Sequence, residues 1–377
     1  MKKLLFAHFL KDTLFFFLLM SLSLGLIVWV IQAVNYLDFI TEDGHGFYVY
    51  FSYTLLNFPK IIHRILPFVF FVSLFYQINK YELKNELIIF WAAGVSKLQF
   101  IKIILSFSLI FFFFQLLIGA FISPIGQDRA RDFIRNSNVD FFPSLFQEGK
   151  FIDVVQNLSI FIETENPKGT YNNIFLKEIK MNGEGKSKVI YAKSGYVKND
   201  KNKRSLELID GNVINVDGVK TNNFSFEKID FDLMRYASKS ISIPKIQELD
   251  NGLIIRCLNY YLQDKANELI NNKSFTCNKN SIKNVKEELF KRFYKPIYLP
   301  LLSLIACLIF FISKENKKFN FYRYIIFFSG IVAIVVSEIS LRYSSNSILG
   351  LSFFVAFPLL VILGLYIFTY NKSIKIT

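Results

Sequence analysis

The chain has 377 residues, a formal net charge of +14, 52% hydrophobic residues and a mean hydropathy of +0.34. That average argues against an ordinary soluble domain. Nor is the charge a nucleic-acid footprint, because Lys and Arg gather in short loops beside apolar stretches.

The first third carries three such stretches, about Thr13–Val34, Ile65–Asn79 and Phe100–Ser123. A bilayer core of about 30 Å asks for roughly 20 apolar residues per helix, so these read as membrane spans. Lys2 and Lys3 before the first run imitate a signal peptide, but the run continues to about Val34 without an A-x-A cleavage pattern, which predicts a retained helix. Between spans two and three, Tyr81–Lys97 predicts an amphipathic helix at about 81–95. Leu83, Leu87, Phe90 and Trp91 share one face, with Glu82, Glu86 and Lys97 outside it and Gly94 able to end the helix. Such a helix either rests on the membrane surface or docks a cytoplasmic partner, and the two glutamates favour docking.

Residues from about Phe141 to Leu233 alternate in short apolar runs such as Ser159–Thr164, Asn173–Leu176, Lys188–Tyr191, Ser205–Ile209 and Phe224–Phe226. The turn signals Asn166-Pro167-Lys168-Gly169, Asn182-Gly183, Asp210-Gly211-Asn212 and Asp217-Gly218 separate them, which predicts antiparallel strands in a sandwich or jelly roll. Gly183-Glu184-Gly185-Lys186-Ser187 imitates the end of a phosphate-binding loop. However, Lys180 stands where the first glycine belongs, so a hairpin turn is expected. From Pro244 to about Asn272, Leu249, Leu253, Ile254, Cys257, Leu258, Tyr261 and Leu262 recur at helical spacing. A polar linker follows at Asn271–Asn284, and Glu287–Arg292 begins a helix expected to run into span four. Spans four to six lie at about Pro296–Ser313, Tyr322–Leu341 and Ile348–Tyr370.

The fold class is therefore an α-helical membrane protein of six transmembrane helices, three and three, with an inserted all-β domain. Its parts are 1–123, 124–290 and 291–377. The loops holding Lys2, Lys3 and Lys11, then Lys80, Lys84, Lys97 and Lys102, then Lys314, Lys317, Lys318 and Arg323, then Lys372 and Lys375, all fall on one side. That side is cytoplasmic by the positive-inside rule, and the β insert faces outward. Three cysteines make no disulfide framework. Cys307 falls in span four, whereas Cys257 and Cys277 fall outside and either pair in an oxidising compartment or remain separate thiols.

No catalytic motif, metal-ligand spacing or cofactor site is readable, and His8, His45 and His63 are scattered. Two charged groups are. Lys60, His63 and Arg64, with Lys291, Arg292 and Lys295 and with Arg342, lie on the side that the positive-inside bias should deplete. They read either as snorkelling helix ends or as a site for an anionic lipid headgroup. Glu338 and Arg342, four apart in span five, are placed to pair.

These residues resemble the LptF/LptG (YjgP/YjgQ) permeases of the lipopolysaccharide export ABC transporter. Asn85-Glu86-Leu87 … Ala92-Ala93-Gly94-Val95-Ser96 is similar to that family's coupling segment. Glu288-Leu289-Phe290-Lys291-Arg292-Phe293-Tyr294-Lys295-Pro296 is similar to its lead-in to span four. Ser123-Pro124 closing span three and Phe146–Phe151 opening the insert also fit, the latter leaning towards LptF.

The resemblance implies a transport subunit rather than an enzyme. It implies a second permease subunit as heterodimer partner, a cytoplasmic ATPase dimer that hydrolyses ATP, and periplasmic jellyroll proteins that receive lipopolysaccharide from a β-jellyroll insert. It implies ATPase coupling through Glu82, Glu86, Leu87, Ala92, Ala93 and Gly94, and lipid A phosphate contacts at Lys60, Arg64, Lys291, Arg292, Lys295 and Arg342. One departure stands out. The outer end of span one reads Gln32-Ala33-Val34-Asn35, without the cation family members often carry, so the partner permease or Lys60 and Arg64 must supply it. Rival readings are an ABC permease for another lipid or lipoprotein and a membrane-anchored periplasmic sensor. Co-purified lipid and an ATPase pull-down separate them.

Overall fold

A computed structural model describes residues 2–37, 46–145, 148–155, 158–166, 169–179, 186–200, 203–217, 220–232, 244–262, 277, 281–312, 314–345 and 347–374. The expected turn at Asn182-Gly183, the glycines of the phosphate-loop look-alike, Pro167-Lys168, Gly218 and most of the linker before Ser281 lie outside the described residues. The chain divides into two compact units, Met1–Ile31 with Leu56–Asp128 and Lys245–Thr377, and Gln32–Leu55 with Arg129–Pro244.

The first unit is helical. Its main elements are α1 (Lys2–Asn35), α3 (Phe58–Leu83), α4 (Leu87–Ala92), α5 (Lys97–Leu117) and the start of α6 (Ser123–Leu145), whereas α2 (Phe47–Leu56) and the rest of α6 fall almost wholly to the second unit. After the insert come α7 (Asn251–Leu262), α8 (Ile282–Phe293), α9 (Tyr298–Cys307), α10 (Phe319–Ser344) and α11 (Ile348–Ile374). Among the described residues, six helical stretches are long and apolar enough to cross a membrane: Lys2–Asn35, Phe47–Leu83, Lys97–Ile134, Ile282–Phe311, Phe319–Ser344 and Leu349–Ser373. Each outruns the apolar run that announced it, because a helix satisfies its own backbone and continues into polar flanks.

The centre of this unit is α9, whose residues are all buried. It is apolar all round, as a helix walled by other helices must be, and it packs against α3, α5, α10 and α11. A cluster rich in phenylalanine fills the space between them, including Phe9, Phe70, Phe71 and Phe100. The helix begun before Glu287 does run into span four, within the stretch Ile282–Phe311, but with one interruption. A 3₁₀ turn at Lys295–Ile297 separates α8 from α9, since Pro296 has no N–H to continue the ladder. A smaller core joins Leu249, Ile254 and Cys257 to Ile282 and Val285, and a Cys257–Cys277 disulfide closes it.

The second unit holds β1 (Phe151–Val155), β2 (Leu158–Asn166), β3 (Thr170–Ile179), β4 (Lys186–Asp200), β5 (Lys203–Asp217) and β6 (Lys220–Asp232). They form one six-stranded sheet in chain order, and every neighbouring pair is antiparallel. The expected strand start at Phe141 moves to Phe151. Gln127, Ala130, Arg131 and Ile134 are buried at i, i+3, i+4 and i+7, so α6 carries helical periodicity past the span.

Asp210-Gly211-Asn212 is not a turn either, since β5 runs through it. Asp210, like Asn173 on β3, takes a positive φ, 54° and 50° respectively. The pairings Ile174↔Ala192↔Gly211↔Phe226 and Asn172↔Ser194↔Ile209↔Lys228 pass over one residue on each of β3, β4, β5 and β6, and the register is the same on both sides of that row. Across this break Ile174 and Tyr171, and Leu208 and Val213, share the buried face despite odd spacing. Gly211 sits where the strands approach most closely: a Cβ there would lie 2.0 Å from the Tyr191 carbonyl oxygen.

On β4 and β5, Tyr196 faces Glu207 and donates its hydroxyl to the carboxylate, with Lys228 at 3.4 Å and Lys198 at 3.7 Å. The tyrosine hydrogen bond first, then the lysines, hold that carboxyl below the ordinary range. A depressed folded-state value adds stability above the unfolded pKa and loses it as pH falls through the folded one. Glu207→Gln is therefore expected to flatten the acid limb of the sheet's unfolding below about pH 4. Hydrogen exchange of β4 and β5 against pH checks this, and an unchanged acid limb would count against the cluster.

Candidate functional site

The inner loop between spans two and three is built by two successive helix caps. Span two ends at Leu83. Asn85 takes φ 61°, with Glu86 N–H donating to Tyr81 O at 2.9 Å and Asn85 N–H to Glu82 O at 3.1 Å. Nine residues on, Gly94 takes φ 74°, with Val95 N–H donating to Phe90 O at 3.1 Å and Gly94 N–H to Trp91 O at 2.9 Å. Both are Schellman motifs, which need a left-handed residue just past the helix. The expected continuous helix over 81–95 is thus broken at Asn85, and only Leu87–Ala92 is helical. Ser96 then starts α5 with a capping box to Gln99.

This loop presents one face inward and another outward. Leu87 and Phe90 are buried, and the Phe90 ring centroid lies 5.4 Å from Phe6 and 5.1 Å from Phe100. Leu83, Ile88 and Ile89 are exposed, at 42%, 59% and 52%. Glu82 and Glu86 are half-buried at the edge of this patch, and Glu86 makes no capping bond. Ala92 is exposed and Ala93 half-buried. Lys2 Nζ donates to Gly94 O at 2.9 Å, and Lys314 Nζ to Leu83 O at 2.7 Å and Asn85 Oδ1 at 3.1 Å. The charge pattern had placed both lysines on the same side as this loop, but their role as caps was not legible.

The basic residues of the opposite side separate into two kinds. Arg64, Lys291 and Lys245 act electrostatically on Lys60, opposed by Glu248; Lys245 and Glu248 are members the sequence did not reveal. Lys291 and Arg64 also act on Lys295. Arg64 is exposed and Lys60 half-buried. Lys295 is buried and paired with Glu338, so the expected Glu338–Arg342 pair is replaced by a contact between span four and span five. Arg342 stands exposed in the last turn of α10.

Arg292 is different. Its side chain is 1% exposed. Nε donates to Glu288 Oε1 at 3.0 Å, Nη1 to Leu249 O at 3.0 Å and Asn251 Oδ1 at 2.8 Å, and Nη2 to Gln247 O at 2.9 Å. Asn251 Nδ2 in turn donates to Ala120 O at 2.7 Å, inside a π-helical turn at Ile118–Ile122. The expectation that Arg292 meets a lipid phosphate is corrected. Its fork is committed to the protein, and it fastens the segment entering α7 onto α8.

Among the described residues, six helices long and apolar enough to cross a membrane, in two sets of three, and an inserted antiparallel sheet define the class of multi-pass membrane proteins with one extramembrane β insert. Residues 7–372 match the family described as lipopolysaccharide export system permease LptF/LptG, and the chain belongs to that family. No individual curated protein matches it.

Proposed function

We propose that the chain is the subunit of an inner-membrane ABC transporter that draws lipopolysaccharide from the bilayer and passes it to a periplasmic bridge. A second permease subunit and a cytoplasmic ATPase dimer complete the machine, and ATP is hydrolysed by that partner. The observation that carries this reading is the inner loop. Leu83, Ile88 and Ile89 are exposed in a patch edged by Glu82 and Glu86, while Leu87 and Phe90 fix the same short helix to the helical core. A patch of this kind suits a protein partner, with Gly94 setting its far end. The Cys257–Cys277 disulfide supports an oxidising, outward location for the insert's return segment. Lys60, Arg64, Lys291 and Lys295 suit lipid phosphates at the outer boundary, with Arg342 at its margin. The opening of the insert favours the LptF branch.

Glu86→Lys is expected to lower ATP-driven lipid release severalfold while the assembled complex purifies intact. Lipid release from vesicles measured beside ATPase pull-down checks it. Normal release by this variant would remove Glu86 from the coupling role.

A further inference from the structure

We propose that Glu338 is a displaceable counter-ion that sets headgroup selectivity in the outer basic cluster, admitting a phosphomonoester and rejecting a phosphodiester. The inference rests on the lipid-phosphate reading above and concerns a residue that reading leaves aside.

The cations of the cluster are balanced unequally. Glu288 accepts from Arg292 at 3.0 Å and from Lys291 at 3.3 Å, and this group is almost closed to solvent. Lys60 and Arg64 form no ion pair among the described residues, and Glu248 acts on Lys60 only from beyond that distance. Lys295 lies between these cases. Its side chain is 6% exposed, its partner Glu338 is 51% exposed, and the two sit on different spans. A half-exposed carboxylate inside a span does not face hydrocarbon, because a charge there is costly; it faces a cavity or a polar partner. Glu338 therefore stands on the accessible side of the pair, and an anion can reach Lys295 only by taking its place.

That exchange discriminates by charge. A phosphodiester headgroup brings one negative charge. It replaces the Glu338–Lys295 attraction with an equal one and leaves a carboxylate unpaired beside a new anion. A phosphomonoester brings up to two charges and three acceptor oxygens. It can occupy Lys295 and still engage Arg64 or Lys291, both of which act electrostatically on Lys295. The repulsive element directed at the abundant competitor is what makes the site selective.

The test uses the full chain in its transporter complex, reconstituted in nanodiscs holding phosphatidic acid and phosphatidylglycerol in equal amounts, with retained lipid read by mass spectrometry. The native complex should retain phosphatidic acid preferentially, and Glu338→Gln should reduce that preference about tenfold, the scale of one charge-assisted contact. An unchanged preference in a folded Glu338→Gln complex overturns the proposal. A second variant guards against a purely structural pair. Lys295→Glu with Glu338→Lys should restore thermal stability without restoring selectivity, and recovery of native selectivity would also overturn it. Displacement of phosphatidic acid by millimolar inorganic phosphate would show a soluble anion, not a headgroup, to be the ligand. If Lys60→Gln with Arg64→Gln leaves both lipids bound as before, the lipid-phosphate reading itself fails, whatever Glu338 does.

Discussion

Arg292→Ala is expected to destabilise the helical unit by about 3–5 kcal/mol, the range for breaking a buried, hydrogen-bonded ion pair from one side. The substitution leaves the Glu288 carboxylate with Lys291 alone and strips the carbonyls of Gln247 and Leu249 and the Asn251 amide oxygen of their donor. Unpaired buried acceptors carry most of the penalty. Arg292→Lys should recover only part of it, because one ammonium cannot reproduce a planar fork that serves Glu288, Asn251 and two backbone carbonyls together. Hydrogen exchange of residues 246–262 and thermal unfolding of the purified chain read both variants. Native stability in Arg292→Ala, combined with weakened phospholipid retention, would return Arg292 to a ligand role.

Gly211→Ala should cost the sheet about 3 kcal/mol, at the upper end of ordinary overpacking. The added methyl meets Tyr191 O at 2.0 Å, Phe226 Cζ at 2.6 Å and Ala192 Cα at 2.9 Å. Two of these are backbone atoms, so no rotamer change relieves the clash and β4 must separate from β5. Gly364→Ala is the matched control. It lies in α11 with no other heavy atom within 4 Å of the new methyl, and alanine is the better helix former by about 1 kcal/mol. Loss of protection across β4 and β5 for Gly211→Ala alone is the expected result. Equal behaviour of the two variants would mean that β4 and β5 tolerate a wider spacing at this row.

Much of the architecture was legible because its signals are local. Six apolar runs, most of them near bilayer length, announce six helices, and period-two alternation announces strands. What escaped depends on atoms brought from far along the chain. Arg292 looked like an outer cation because sequence shows its charge and not the Gln247 and Leu249 carbonyls that consume it. Glu338 looked committed to Arg342 by helical spacing, yet Lys295, 43 residues away, reaches it first. Asp210-Gly211 carried a genuine turn signal that the fold used inside a strand, with Asp210 at positive φ, since β4 and β6 hold β5 on both sides. Asn85 is the one miss with a readable clue. An asparagine two residues past the last apolar position of a helix is a common left-handed stop, and the amphipathic pattern beyond it concealed the break.

The short helix Leu87–Ala92 is seated so firmly that it cannot behave as a swinging arm. Phe90 touches Phe6 and Phe100, Trp91 touches Phe100 and Phe310, and Phe100 and Phe310 meet at 4.8 Å. Those rings belong to the feet of spans one, three and four. Pressure applied at Ile88 and Ile89 is thus shared among three pillars at once, like a thumb on a keystone, and the spans must tilt together or not at all.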